Sequence, residues 1–278
     1  MKKENKTILI TGASSGIGRE TAVKLAKLGH SVFAGVRRKI DKNELESLKL
    51  NIKGVYIDVT NTSSIEKAFW FVLKNTNKID VLINNAGIAE AAPVEFIDLK
   101  RLKEQFEVNT FGTVAVTQKF IPLLNNAKVI NISSMASSGI FPYIAPYCAS
   151  KRAMDILMNS FALENKNNIK VISIKPAAIK TPIWEKSVKN AEEAFLQLKE
   201  ADRDKYKKEF DYLKKQAVNS SKNRLNIYNV TDKIIEIINA KNPKTSYNVG
   251  ADAFLAEFIS KLPQDIINFL ITLKLKII

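Results

Sequence analysis

Cysteine and histidine are almost absent from this chain, which has one of each among its 278 residues. The single cysteine, Cys148, excludes an internal disulfide framework and is typical of a reducing compartment, so we expect a cytoplasmic protein. Because His30 is the only histidine, the usual zinc sites are excluded as well, and we expect no metal.

Long apolar runs are also lacking. No stretch of about 18 apolar residues is present, so the sequence predicts no conventional membrane span. The first residues, MKKENKTILI, contain no apolar segment of 7–15 residues followed by a cleavage site, so we expect no signal peptide.

Acidic residues are scarce relative to basic ones: 28 Asp and Glu oppose 43 Lys and Arg, which gives a formal charge of +15. Such a charge can attract phosphates, acidic lipids or other anionic ligands. The lysines are scattered, however, and no nucleic-acid recognition motif accompanies them, so we expect no nucleic-acid partner.

The first half of the chain alternates short apolar runs with longer amphipathic segments. This pattern predicts an α/β fold, a doubly wound, Rossmann-like parallel sheet between two helical layers. The predicted strands cover 6–11, 31–36, 54–59, 79–85, 127–133 and 169–176, and the predicted helices cover 18–29, 41–49, 62–75, 99–124 and 146–165.

After Pro176 the pattern changes to a charged helical segment at 183–224, which we interpret as a surface hairpin that forms a lid over the substrate site. A helix at 230–240 and a strand at 245–249 then resume the sheet, so residues 1–278 form one domain. The C-terminal extension, 252–278, is apolar with late lysines. This composition fits a docked helix, a dimer contact or an interfacial membrane anchor. In the last case the protein would be associated peripherally with a membrane.

The stretch TGASSGIG (11–18) joins the first strand to the first helix. Its glycines permit unusual φ angles and close approach of the backbone to a ligand, and the helix N-terminus favours a pyrophosphate. At the carboxyl edge of a doubly wound sheet, this loop predicts a dinucleotide site. The predicted contacts are Gly12, Ser14, Ser15, Gly16, Ile17 and Gly18.

The end of the second strand reads AGVRRK. Val36 stands where an NAD site usually has an acid, and Arg37 and Arg38 can pair with a 2′-phosphate, so we favour NADP over NAD. The alternative is a pair of solvated charges in a basic protein. Asp58 and Val59 are predicted to flank the adenine. The turn NNAG (84–87) contributes Asn85, Ala86 and Gly87, although Asn residues also simply form turns.

Tyr147 and Lys151 are four residues apart on one predicted helix and therefore share a face. Ser134 follows the fifth strand and lies at the same edge of the sheet. The Lys151 ammonium is expected to lower the pKa of the phenol, so that Tyr147 can exchange a proton with a carbonyl or an alcohol while Ser134 holds the oxygen. Taken singly, such a Tyr–Lys pair or serine occurs often without a function.

Together, the motifs TGASSGIG, NNAG, VNTFG, ISS and YCASK resemble the short-chain dehydrogenase/reductase superfamily in its single-domain form, over residues 6 to about 182. The resemblance implies that Ser134, Tyr147 and Lys151 are catalytic and that Asn109 completes a tetrad by holding a water. It also implies that Tyr147 and Lys151 both contact the cofactor, Lys151 at the nicotinamide ribose, and that the segment with Pro176, Ile179 and Thr181 meets the nicotinamide. Ala177 replaces the usual glycine there, and we expect cofactor binding to survive this change, at most in weakened form.

The resemblance further implies a homodimer or homotetramer through the helices at 99–124 and 146–165. TPIWEKS and the C-terminal extension are similar to the steroid, retinol and hydroxybutyrate dehydrogenase-like branch. A lipophilic alcohol or ketone is therefore the expected substrate, and the competing hypothesis is a catalytically silent dinucleotide-binding sensor or scaffold.

An apolar substrate pocket is predicted from Phe141, Tyr143, Ile183, Trp184 and Phe195. We expect Cys148 to pack in the interior and His30 to lie on the surface.

Overall fold

A computed structural model describes residues 5–165, 168–179, 182–219 and 225–276. Its centre is a seven-stranded sheet in the order β3-β2-β1-β4-β5-β6-β7, in which every neighbouring pair is parallel. This confirms the predicted doubly wound sheet. The strands are β1 (Thr7–Ile10), β2 (Ser31–Val36), β3 (Ile52–Tyr56), β4 (Val81–Asn84), β5 (Lys128–Ile132), β6 (Lys170–Pro176) and β7 (Ser246–Val249).

Helices cover both faces of the sheet. Because successive strand residues point to opposite faces, Ile8 and Ile10 pack in one buried core while Leu9 packs in the other. Consecutive apolar residues of β1, β2 and β4 are therefore buried, as the lack of alternation predicted. The helices are α1 (Gly16–Lys27), α2 (Lys39–Ser47), α3 (Thr62–Leu73), α4 (Leu99–Phe106), α5 (Gly112–Phe120), α6 (Ala145–Glu164), α7 (Pro182–Leu196), α8 (Glu200–Asn219), α9 (Ile227–Asn239), α10 (Ala251–Ile259) and α11 (Gln264–Lys276).

The helix predicted at 99–124 is not continuous. A π-helical turn, Glu107–Phe111, separates α4 from α5, and a 3-10 turn that contains Pro122 ends the segment. The π turn holds Asn109 fully buried, where its side chain bonds the backbone of Ile88. A regular α-helix would move this side chain out of position. The extra residue in the π turn therefore allows Asn109 to reach the backbone of Ile88.

His30 is buried, with 2% of its surface exposed, so the predicted surface position is wrong. Its Nδ1 accepts a hydrogen bond from the backbone N–H of Lys6 at 3.2 Å. The turn after α1 therefore folds beneath the start of β1 instead of projecting into solvent.

The helical hairpin predicted after Pro176 is formed by α7 and α8. Phe195 of α7 and Phe210 of α8 stack with ring centroids 4.2 Å apart and an interplanar angle of 4°. Tyr206 and Lys205 of α8 donate hydrogen bonds to Glu95, at 2.6 and 3.0 Å, and so tie the hairpin to the segment after β4.

The C-terminal extension forms α10 and α11. The first of these packs against the 3-10 turn Met135–Ser138, which directly follows Ser134. Across the described residues, none of the helices has both the length and the apolar content needed to cross a bilayer. Large apolar side chains nevertheless remain exposed on both helices: Phe254, Leu255, Phe258, Ile266, Phe269, Leu270 and Leu273.

Candidate active site

A cavity of about 530 Å³ opens at the carboxyl ends of the strands. It lies where β1 and β4 are neighbours and the chain order of the sheet reverses, which is where open α/β sheets bind ligands. The cavity brings together predicted residues from seven separate parts of the chain: Gly12, Ser14, Ser15, Gly16, Ile17, Arg37, Asp58, Val59, Asn85, Ala86, Gly87, Ser134, Tyr147, Lys151, Pro176 and Ile179.

The loop before α1 has the geometry of a phosphate cradle. Gly12 and Gly16 adopt φ angles of +66° and +57°, and a Cβ on Gly12 would lie 2.8 Å from the Cα of Ala86. Ser15 caps α1 without a side-chain hydrogen bond, and the first turn of the helix has no acidic residue. Free N–H groups, a free hydroxyl and the positive end of the helix therefore face the cavity, and this donor set fits the pyrophosphate of a dinucleotide.

Gly18 does not line the cavity, so the structure does not bring it together with the other predicted cofactor contacts. Asn85 Nδ2 donates to the carbonyls of Thr11 and Gly12, at 2.9 and 3.0 Å. A Cβ on Gly18 would lie 2.4 Å from both Asn85 Nδ2 and the Gly12 oxygen. Gly18 instead permits this close packing between the loop and the end of β4.

The two arginines after β2 differ in position. Arg37 lines the cavity, whereas Arg38 lies outside it and donates to both carboxylate oxygens of Asp41, at 2.8 and 2.6 Å. This pairing holds the pKa of Asp41 below its usual value, with charges on Arg37 and Lys186 acting in the same direction. The structure therefore places Arg37 but not Arg38 at the cavity, and the Arg38 guanidinium pairs instead with the first turn of α2.

Tyr147, Lys151 and Ser134 all face the cavity and are all buried, with 6%, 4% and 8% of their surfaces exposed. Lys151 Nζ donates to the carbonyl of Ile132 at the end of β5, at 2.8 Å. The Tyr147 ring meets Trp184 of α7 edge-on, with centroids 5.4 Å apart. The first turns of α6, the end of β5 and the start of α7 thus enclose the phenol.

The expected lowering of the Tyr147 pKa by Lys151 does not occur in the protein chain alone. Burial raises the pKa of the phenol to about 12, although a hydrogen bond with Ser134 acts in the opposite direction. Burial likewise lowers the pKa of Lys151 to about 8. The pKa values of both groups are therefore set mainly by loss of contact with water, and not by attraction between a phenolate and an ammonium.

Asn109 lies behind the cavity and does not line it. Its Oδ1 accepts from the N–H of Ile88 at 2.8 Å, and its Nδ2 donates to the Ile88 carbonyl at 2.8 Å and to Ser150 Oγ at 3.0 Å. A Cβ on Gly87 would lie 3.2 Å from Asn109 Oδ1 and 3.3 Å from Lys151 Nζ. Asn109 and Lys151 therefore meet at Gly87.

The segment after β6 tolerates Ala177. This residue has no positive φ angle, and its N–H donates to the carbonyl of Val249 at 2.8 Å. The neighbouring Gly250 has a φ of +99°, and a Cβ there would lie 2.9 Å from the Ala177 methyl. Glycine at 250 thus makes room for alanine at 177. The predicted contact from Thr181 falls outside the described residues.

The substrate end of the cavity is only partly as predicted. Phe141, Ile183 and Trp184 line it. Phe195 stacks on α8 instead, and Tyr143 lies in a turn with a φ of +68°, where its carbonyl accepts from the N–H of Ala92. Both are therefore removed from the predicted pocket.

Sequence reasoning missed a polar cluster at this end, formed by Glu90, Arg101 and Asn190. Asn190 Nδ2 donates to Glu90 Oε1 at 3.0 Å, and Arg101 Nη1 lies 3.6 Å from Glu90 Oε2. All three residues line the cavity. No local sequence signal connects residues 90 and 190, because only the fold of α7 over the cavity brings them together.

Comparison with known proteins identifies the class to which this site belongs. The sequence model of the short chain dehydrogenase family matches residues 6–192. The chain therefore belongs to the short-chain dehydrogenases, and it is an NAD(P)-dependent oxidoreductase.

Two relatives are similar over most of their length. A 3-amino-tetrahydro-pyrrolizinone reductase from Xenorhabdus hominickii is 34% identical, over 89% of this chain and 88% of the relative. An NADPH-dependent 3-dehydrocapnine reductase from Ornithobacterium rhinotracheale is 33% identical, over 87% of each chain.

The fold is also shared with a solved short-chain dehydrogenase from Streptomyces avermitilis, with a TM-score of 0.79 and 24% identity over 100% of this chain and 98% of that one. Other structures of this fold hold NADP in one case and NAD in another, so the fold accommodates either cofactor.

Proposed function

We propose that this protein interconverts a carbonyl and a primary or secondary alcohol with NADP(H), using Tyr147 as the proton donor and acceptor. The observation that carries the proposal is the shared cavity: Tyr147, Lys151 and Ser134 face the same space as the glycine loop. A proton-transferring group and a dinucleotide cradle on one cavity are what a hydride-transfer reaction requires.

When bound, NADP(H) supplies or accepts the hydride. The loop around Gly12 and Gly16 would hold its pyrophosphate, Asp58 and Val59 would flank its adenine, and Arg37 would pair with its 2′-phosphate. The relative from Ornithobacterium rhinotracheale is named as NADPH-dependent, which supports this choice of cofactor.

The other site residues have distinct roles in this proposal. Tyr147 gives its phenolic proton to the carbonyl oxygen during reduction and takes a proton from the hydroxyl during oxidation. Ser134 Oγ orients the substrate oxygen, and Lys151 binds the nicotinamide ribose. Asn109 fixes the backbone at Ile88 and so holds Gly87 next to the Lys151 ammonium. The apolar walls formed by Phe141, Ile183 and Trp184 exclude water and bind a lipophilic part of the substrate.

The cofactor assignment is tested by titrating the protein with NADPH and with NADH while following fluorescence. The wild type is expected to bind NADPH more tightly. Arg37→Ala should lose about tenfold in NADPH affinity, because a charge-assisted contact with phosphate contributes roughly 1.5 kcal/mol, while NADH binding should stay within about twofold.

Arg38→Ala is the matched control, since its guanidinium pairs with Asp41 outside the cavity. It should leave the preference between the two cofactors unchanged. Equal binding of NADH and NADPH by the wild type would refute the role of Arg37, and binding of neither would refute the proposed function.

A further inference from the structure

The substrate end of the cavity contains carboxylates that the proposed reaction does not use. Glu90 and Glu104 both line this end, and only 13% of the Glu90 side chain is exposed. Glu90 directly follows Ala89, which packs in the small apolar cluster that includes Tyr147. The Glu90 carboxylate therefore lies near the proposed reacting centre and is largely removed from water.

Three residues, from the two helices α4 and α7, hold Glu90 in place. Its backbone N–H donates to Gln105 Oε1 of α4 at 2.5 Å, and Asn190 Nδ2 of α7 donates to its Oε1 at 3.0 Å. Arg101 lies 3.6 Å from its other carboxylate oxygen. The carboxylate is thus held by one amide donor and by one ion pair at 3.6 Å. It is preorganised, and its remaining lone pairs can still accept a ligand.

Negative charge exceeds positive charge at this end. Two carboxylates face one guanidinium, which is 35% exposed and also donates to the Asn190 carbonyl at 3.4 Å. Burial raises the pKa of Glu90, and the nearby Glu104 acts in the same direction. A bound cation would relieve both effects, because it offsets the desolvated charge.

The other cations that line the cavity, Arg37, Lys186 and Lys151, act on groups other than Glu90. The charge of Lys186 acts on Asp41 together with Arg37, which places it toward the proposed 2′-phosphate end. The Lys151 ammonium donates to the Ile132 carbonyl. The cavity is thus electropositive where the cofactor phosphates would bind and electronegative beyond Tyr147.

We propose that Glu90, positioned by Asn190, binds the ammonium group of an amine-bearing substrate. The proposal rests on the proposed function and specifies its substrate class: an amino ketone or amino alcohol whose hydrocarbon part packs on Phe141, Ile183 and Trp184.

Direct binding tests the subsite without requiring catalysis. We would titrate the full-length protein by calorimetry at pH 7 and low ionic strength with n-hexylammonium chloride and with 1-hexanol. The wild type should bind the cation about tenfold more tightly than the alcohol, and Glu90→Gln should bring the two within about twofold.

Two controls separate charge from folding. Glu95→Gln removes a carboxylate that bonds α8 and should keep the preference for the cation. Glu104→Gln leaves every Glu90 contact intact and should reduce the preference by a smaller factor. A wild type that binds hexanol as tightly as hexylammonium, or a Glu90→Gln variant that retains the preference, would refute the subsite.

Turnover then distinguishes this proposal from the proposed function. Acetonyltrimethylammonium and 4,4-dimethylpentan-2-one have the same shape but differ in charge. A higher kcat/KM for the cation that disappears in Glu90→Gln supports the subsite. Reduction of both ketones at equal rates refutes the subsite and leaves the oxidoreductase function intact. Reduction of neither counts against the proposed function, while the binding measurement still decides the subsite.

Discussion

At the scale of single residues, burial governs the chemistry of the site. Tyr147 has a pKa of about 12 and Lys151 a pKa of about 8, each displaced toward its neutral form. Tyr147 is therefore protonated at neutral pH and ready to donate a proton during carbonyl reduction. In the proposed reaction, alcohol oxidation needs the deprotonated phenol, so we expect reduction to be the faster direction near pH 7.

We expect ketone reduction with NADPH to be nearly constant from about pH 6 to 7.5 and to fall as pH rises through about 8, where Lys151 loses its charge. Alcohol oxidation should instead increase with pH.

Tyr147→Phe should lower kcat by about 10²- to 10⁴-fold. Tyr143→Phe is the control, because Tyr143 does not line the cavity. A Tyr147→Phe variant with near-normal kcat would exclude the phenol as the acid.

At the scale of secondary-structure elements, one lysine holds the end of a helix. Lys128 of β5 donates to the carbonyls of Ile237, Ile238 and Ala240, at 2.9, 2.8 and 2.6 Å. These are carbonyls at the C-terminus of α9, which have no partners within the helix. Burial, together with the charges of Lys6 and Lys170, lowers the pKa of Lys128 to about 8. The lysine thus stabilises α9 against the sheet beside β5.

Lys128→Met should lower the free energy of unfolding by about 1–3 kcal/mol, because it leaves these carbonyls without a donor. Chemical denaturation monitored by circular dichroism measures the change. Lys170→Met alters an exposed neighbour and should cost less than about 1 kcal/mol. Equal losses in the two variants would show that the three bonds do not stabilise α9.

At the scale of the whole molecule, apolar residues remain uncovered on α6 and next to it. Leu163, Ile156 and Leu157 of α6 are 90%, 58% and 45% exposed, and Phe111 in the adjoining π turn is 52% exposed. Large apolar side chains exposed on neighbouring elements are typical of protein–protein interfaces. It supports the predicted association through the helices at 99–124 and 146–165. The exposed apolar side chains of α10 and α11 form a second such surface. This second surface is suited either to a dimer contact or to a membrane contact.

We expect the protein to have two or four times its chain mass of 31.1 kDa in solution. Leu157→Glu should convert it largely to monomer, since a charge in an apolar interface is desolvated without a partner. Leu196→Glu, on the exposed face of α7, should not. Light scattering coupled to size-exclusion chromatography measures the mass. A monomeric wild type would rule out the interface, as would a Leu157→Glu variant of unchanged mass.

Much of this architecture follows from local patterns. The strand at 31–36 was predicted at its observed bounds because uninterrupted apolar runs indicate burial on both faces. Local sequence patterns do not predict the structure at positions where contacts with residues far along the chain determine it. EVNTF reads as ordinary helix, yet the bonds from Asn109 to Ile88 favour a π turn. His30 lies in a polar turn but is covered by the start of β1. Arg38 is indistinguishable from Arg37 until its Asp41 partner is seen, and Glu90 gains its role only from a helix one hundred residues later.

The place of β1 in the middle of the sheet has a consequence for biosynthesis. While the chain grows on the ribosome, β2 covers one edge of β1, but the other edge has no partner until β4 is made. At translation rates of about 5–20 residues per second, the apolar edge at Ile8–Ile10 would stay open for roughly 2 to 10 s. An unpaired edge recruits foreign strands. Nascent chains that stall between β2 and β4 should therefore be the species that depend most on chaperones.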